Sequence, residues 1–280
     1  MKMSGLTPLY KREKDLPYKR PDTAHTGLWF DKFCNRWGVY KDKNNRKKFW
    51  ELETRKDDWI RTVTEKPCGD KNLIQEAVER MEKLVASLSG RLLYARTEGR
   101  FVTGLGRPHP VENGFAWHPV LGTPYLPGSS VKGMVRAWAE EWTYDSEIDR
   151  IFGPKHTDSS KHIGSVVFFD SLPRAAVKLE IDVMTPHFAP YYREPKKYPP
   201  VERYHPVPIP FLTVAEGQSF LFAVAPRKEE DQRDVYKVLT WLKEALEWIG
   251  AGAKTAVGYG RFVVEGRKAT NGYDGNERSK

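Results

Sequence analysis

Gly250-Ala251-Gly252-Ala253-Lys254-Thr255-Ala256-Val257-Gly258-Tyr259-Gly260-Arg261-Phe262 is the stretch on which the reading of this 280-residue chain turns. Four glycines, Gly250, Gly252, Gly258 and Gly260, bracket a five-residue centre. Glycine tolerates positive φ and carries no Cβ, so main-chain amides there can approach a phosphate closely. Lys254 and Arg261 add cationic donors, and Tyr259 adds a ring that can stack or pack. A nucleotide-binding P-loop does not fit. Ala253 stands before the lysine where that motif needs glycine, and the loop leads from a helix into a strand, the reverse of the P-loop context. A simple helix C-cap needs one glycine rather than four.

The flanking sequence supplies that helix and strand. Val235, Val238, Leu239, Leu242, Leu246 and Ile249 recur at helical spacing, which predicts a helix from about Asp231 to Ile249 closed by Gly250. Phe262 to Val264 reads as a last strand, and residues 266–280 as a polar, frayed tail. Upstream, Phe211–Val214 and Ser219–Val224 read as a hairpin across Ala215-Glu216-Gly217. Met184 to Pro210, rich in proline and tyrosine, reads as a long irregular insertion. Val177, Leu179, Ile181 and Val183 alternate with charged residues as in a half-buried strand, and Val166–Phe169 makes a short apolar one.

A second turn-to-helix junction lies further back, at Tyr125-Leu126-Pro127-Gly128-Ser129-Ser130-Val131-Lys132-Gly133-Met134-Val135-Arg136. Pro-Gly marks the turn, and Ser129 or Ser130 suits an N-cap. Val131, Met134, Val135, Trp138 and Trp142 then share one helical face. Lys132 falls in the first turn, where free amides and the helix dipole favour an anion, and Arg136 follows one turn on. Before a Pro/Gly-rich connector, Arg91 to Gly104 reads as two strands broken near Glu98-Gly99. An apolar face from Leu73 to Leu88, stopped by Gly90, predicts a helix over about 72–88.

From residue 90 the order is strand, helix, strands, helix, strand. That order predicts an α+β fold with a ferredoxin-like, RRM-like split βαβ core and helices on one face of the sheet. This sheet also serves RNA-recognition modules, but their aromatic signature is absent. Domain boundaries follow: a basic N-terminal extension over 1–72, the sheet domain over 73–265 and the tail.

Composition narrows the partners. Lys plus Arg is 46 against 37 Asp plus Glu, a net charge of +9 that favours an anionic partner, nucleic acid before lipid. Residues 1–72 hold 18 Lys/Arg and 11 Asp/Glu, so they supply most of the excess, including the basic run Lys41 to Lys48. Cys34 and Cys68 have no metal-ligand spacing, and neither a signal segment nor an apolar run of membrane length is found, which predicts a cytoplasmic protein with reduced thiols.

The spacing of glycine, small residue, glycine, five residues, glycine, hydrophobic residue, glycine is similar to the C-terminal signature of the RAMP superfamily of CRISPR proteins. Leu126 to Gly133 resembles that superfamily's second motif. Pro110 to His118, Asp182 to Phe188 and Pro206 to Val214 narrow the resemblance to the subunit-six family of the Cmr, or type III-B, CRISPR effector. The resemblance covers residues 90–265. It implies a ribonucleoprotein that pairs guide RNA with target RNA. In it this subunit belongs to an end cap near the guide's 3′ side, beside neighbouring RAMP subunits. It also implies a role without catalysis, since target cleavage is assigned to a different subunit.

The expected RNA-contacting residues are therefore Ser129, Ser130, Lys132, Arg136, Gly250, Gly252, Lys254, Thr255, Gly258, Tyr259, Gly260 and Arg261. Neither a metal nor a cofactor is expected, because no histidine pair or histidine–cysteine set has ligand spacing. The competing enzymatic reading is a repeat-RNA endoribonuclease with His118 or His187 as general base. A third is a scaffold touching only protein. Phe115 and Trp117 read as loop aromatics for a base or partner, Trp138 and Trp142 as core, and Asp170 and Asp182 as solvent-facing strand ends.

Overall fold

A computed structural model describes residues 19–41, 48–52, 56–143, 145–154, 162–201, 206 and 208–266. In chain order the elements are α1 (Thr26–Lys32), β1 (Trp37–Lys41), β2 (Lys48–Leu52), α2 (Lys56–Thr64), α3 (Lys71–Ser87) and β3 (Arg91–Thr97). Then come β4 (Pro108–His109), β5 (Glu112–Asn113), α4 (Gly128–Trp142), α5 (Ile148–Phe152), β6 (Val166–Phe168) and β7 (Leu172–Pro173). The chain finishes with β8 (Leu179–Met184), α6 (Ala189–Arg193), β9 (Ile209–Val214), β10 (Ser219–Pro226), α7 (Gln232–Trp248) and β11 (Phe262–Val264).

The protein is mixed α and β with antiparallel sheets. The main sheet has the order β11-β3-β10-β6, with β7 also paired to β10. Its central strand reads Phe220-Leu221-Phe222-Ala223-Val224-Ala225, a continuous apolar run rather than an alternation. The reason is that both faces are covered. Phe220, Phe222 and Val224 pack with Leu93 and Ala95 against α4 and α7. Leu221 points the other way, into Ile74 and Val78 of α3. Successive strand residues face opposite sides, so α3 lies on the second face. The expectation of helices on one face only does not hold.

The expected hairpin of 211–214 with 219–224 is also absent: β9 pairs with β8, and β10 pairs with β3. After the turn at Gly217 (φ +81) the chain crosses to Thr97, whose carbonyl accepts the Gly217 amide at 2.9 Å. Long apolar helices match their expected spans closely, whereas α3 differs in its exposed side. Ile74, Val78 and Val85 are buried, but Leu73, Leu84 and Leu88 are each more than 40% exposed.

The polar first quarter contributes to the core. Trp29 and Phe30 of α1 and Trp59, Ile60 and Val63 of α2 belong to the same buried cluster as Phe220 and Phe222. Within Lys41–Lys48, residues 42–47 lie outside the described residues, as do residues 267–280. The insertion after β8 contains α6.

Candidate nucleic-acid interface

The glycine segment begins where α7 stops. The amides of Ile249 and Gly250 both donate to the Ala245 carbonyl, at 3.1 and 2.9 Å, and Gly250 turns left-handed at φ +76. The two ends of the segment are then stitched together. Ala251 N–H donates to Gly260 O at 2.7 Å, and a Cβ at Gly260 would lie 2.0 Å from Ala251 O. Gly252 (φ +83) passes so close to the segment after β3 that a Cβ would sit 2.1 Å from Val102 O. Ala253 N–H donates to that same carbonyl at 2.8 Å, and Gly260 N–H to Arg100 O at 2.8 Å. Three glycines are thus required by the protein's own main chain. The centre is different: Lys254 adopts φ +60, a 3-10 turn spans Thr255–Val257, and Ala256, Val257 and Gly258 are exposed.

Side chains hold the segment against β8 and β9. Tyr259 OH donates to Asp182 Oδ2 at 2.6 Å, and Arg100 Nη1 donates to the same oxygen at 2.6 Å. Burial pushes the Asp182 carboxyl up, but the Tyr259, Val183 and Arg100 donors outweigh it and hold it below the usual carboxylate range. Burial, then the bond to Asp182, pushes the Tyr259 phenol up to about 12. Lys254 Nζ lies 5.5 Å from the centre of the Phe211 ring, which itself packs on Tyr259. Arg261 Nη1 donates to Glu247 O at 2.9 Å in the last turn of α7.

The start of α4 corrects the capping assignment. Gly128 is the first helical residue, and neither Ser129 nor Ser130 is the cap. Asp170 Oδ1, from the turn after β6, accepts the Gly128 amide at 2.7 Å instead. The chain enters the helix against β6, where a Cβ at Gly128 would lie 2.4 Å from Phe168 O. Asp170, exposed just after β6, also caps the helix, and Asp182, half-buried on β8, also anchors the glycine segment. Ser129 and Ser130 are exposed.

α4, the glycine segment and the loop Thr103-Gly104-Leu105-Gly106 enclose a groove of about 460 Å³. Ser130 and Met134 line it from α4, and Gly250, Gly252, Ala253 and Thr255 from the glycine segment. Two motifs some 120 residues apart thus meet at one site. The 103–106 loop was not anticipated; its two glycines in a connector were the available signal. Lys132 and Arg136 are not brought into the groove. They follow Ser130 and Met134 by two residues, about 200° round the helix. Arg136 is occupied by Glu140 (2.8 Å), Asp149 (2.7 Å) and Gly153 O (2.8 Å). Burial, then Arg136 and Arg227, hold the Lys132 ammonium below the usual lysine range.

The other candidates divide between internal and exposed positions. His118 Nδ1 accepts the Val120 and Leu121 amides at 3.3 and 3.2 Å, organising its own turn, while His187 is exposed beside Phe188. Phe115 and Trp117, read from sequence as contact aromatics, are buried in the core. Trp142, read as core, is 63% exposed and stacks on Trp138. Burial pushes the Cys34 and Cys68 thiols up to about 11 and about 12. Among the described residues no cluster of three or more His, Cys, Asp or Glu could hold a metal ion. No helix among them is long and apolar enough to cross a membrane.

Comparison with known proteins agrees with this architecture. The chain is similar to "CRISPR system Cmr subunit Cmr6" of Pyrococcus furiosus, 34% identical, with the match spanning 60% of this chain and 66%, just under two thirds, of the relative. It is 28% identical to "CRISPR system CMR subunit Cmr6" of Saccharolobus solfataricus, over 81% of this chain and 77% of that protein. Its fold resembles a chain of the type III-B Cmr-beta complex bound to cognate target RNA, with a TM-score of 0.60 at 24% identity, covering 76% of this chain and 71% of that one. The family model of the RAMP superfamily matches residues 94–263, from within β3 into β11, so the chain belongs to the RAMP superfamily.

Proposed function

We propose that this chain is a non-catalytic, RNA-binding subunit of a type III-B CRISPR ribonucleoprotein effector. In this reading it acts in the cytoplasm, contacts guide RNA near its 3′ side, and sits beside other RAMP subunits. The observation that carries the reading is the meeting of the α4 turn and the glycine segment at one groove, with the segment's centre exposed. The names of the two similar proteins, both Cmr subunits, support the same assignment.

Ser129, Ser130, Gly252, Lys254, Thr255 and Gly258 form the contact surface in this proposal. Gly250, Gly260, Tyr259 and Arg261 shape it, and Lys132 and Arg136 border it on the far flank of α4. The order β11-β3-β10-β6, with α4 and α7 as the crossovers, supports the split βαβ, ferredoxin-like core. We take residues 73–265 as the RAMP domain, 1–72 as a basic extension whose α1 and α2 are built into its core, and 266–280 as a tail. With α3 over one sheet face and α4 and α7 over the other, RNA runs along the rim rather than across the strands.

The test is single-stranded RNA binding by the full chain across a salt series. Affinity falls steeply as salt rises, and Lys254→Ala lowers the slope of log K against log salt by about one. Incubated RNA stays intact, with wild type and His118→Ala alike. Binding indifferent to salt, or cleavage lost on His118→Ala, would overturn the reading.

A further inference from the structure

We infer that the groove between α4 and the glycine segment receives an unpaired nucleobase of the bound RNA, not a phosphate. The inference rests on the RNA-binding reading above and names the part of the RNA that enters. Leu105, Leu126, Met134 and Ile249 give the groove an aliphatic part, and among the described residues no charged side chain lines it. A phosphate placed there would shed part of its hydration against apolar surface with no cation lining the groove to replace it. The neighbouring helix start is no better for an anion. Its first amide is already bonded to the Asp170 carboxylate, which brings a negative charge to that end of α4.

A base has the complementary chemistry. Its faces are flat and uncharged, and its edge carries donors and acceptors. Gly250 and Gly252 line the groove with main chain, their side-chain sides being closed by Gly260 O and Val102 O, while Ser130 and Thr255 offer hydroxyls to a base edge. The volume, about 460 Å³, falls within the range of about 300 to 1,000 Å³ of clefts that hold small molecules, so a base fits with room to spare. Lys254, half-buried beside it with its ammonium over the Phe211 ring, remains for the sugar-phosphate chain.

Gly106 allows the groove to be plugged without disturbing the fold. It lines the groove, its φ lies outside the left-handed region, and a Cβ there would meet no atom within 4 Å. The experiment uses the full chain and single-stranded RNA carrying 2-aminopurine at successive positions, with matching abasic versions. At one position, binding raises 2-aminopurine fluorescence as the base leaves its stacked neighbours. The abasic version at that position binds about tenfold more weakly. Gly106→Trp removes both effects, with an unchanged circular dichroism spectrum; Gly106→Leu repeats the measurement with a smaller plug. Salt-dependent binding with no fluorescent position, or with Gly106→Trp as tight as wild type, overturns the inference. So does a plug that spares RNA binding but weakens assembly with other effector subunits, which would assign the groove to a protein side chain. Failure of the unmodified RNA to bind at all would instead sink the proposed function.

Discussion

At Gly252 a Cβ would lie 2.1 Å from Val102 O; at Gly258, six residues on, it would meet nothing within 4 Å. Both residues have positive φ, +83 and +94, so both need the freedom glycine gives. Only the first is also held by a main-chain contact on its side-chain side. One motif therefore combines two functions. Its ends splice α7 to β11 through tight backbone packing, and its centre stands free to meet another molecule. The signature's glycines report mainly on the splice, and the ligand-facing chemistry resides in the intervening residues.

Substitutions can break this contrast. Gly252→Ala should be the most damaging, costing about 3–4 kcal/mol in chemical denaturation, because backbone strain and an atomic overlap coincide. A loss no larger than that at Gly258 would erase the distinction. Next, Asp182→Ala removes the acceptor that fixes Tyr259 and Arg100 and should cost about 2 kcal/mol. The native Asp182 carboxyl titrates below its ordinary value, so its contribution is complete above about pH 5 and fades as pH falls through the native value, below about 4. The gap in stability between wild type and Asp182→Ala should accordingly narrow in acid. A gap constant from pH 7 to pH 3 would show that the carboxylate is not the anchor. The smallest effect is expected at Gly258→Ala, about 1 kcal/mol from the left-handed backbone alone.

Regular periodicity made α3, α4 and α7 legible in the sequence, because a helix buries what recurs at its own repeat. The β9–β10 hairpin was misread for the opposite reason. Ala215-Glu216-Gly217 is a sound turn, but what a strand pairs with depends on segments far away in the chain, here β3 and β8. Trp142 was misread because periodicity places it on the right face but not within reach of the core, which ends at Ala139. Phe115 and Trp117 lie in a stretch without periodicity, so nothing local signalled that Phe30 would close over Trp117. The opposition of Ser130 and Met134 to Lys132 and Arg136 was available from helical spacing alone. Charge drew the eye to the wrong flank.

The Asp170 carboxylate on the Gly128 amide has a kinetic implication. The first turn of α4 lacks a local partner for that donor, and helix initiation is the costly step of helix formation. Its completion waits for a contact 42 residues downstream. The excised segment 121–143 would therefore fray at its leading end, and α4 becomes whole only when the chain through Asp170 has been synthesised and laid against the sheet.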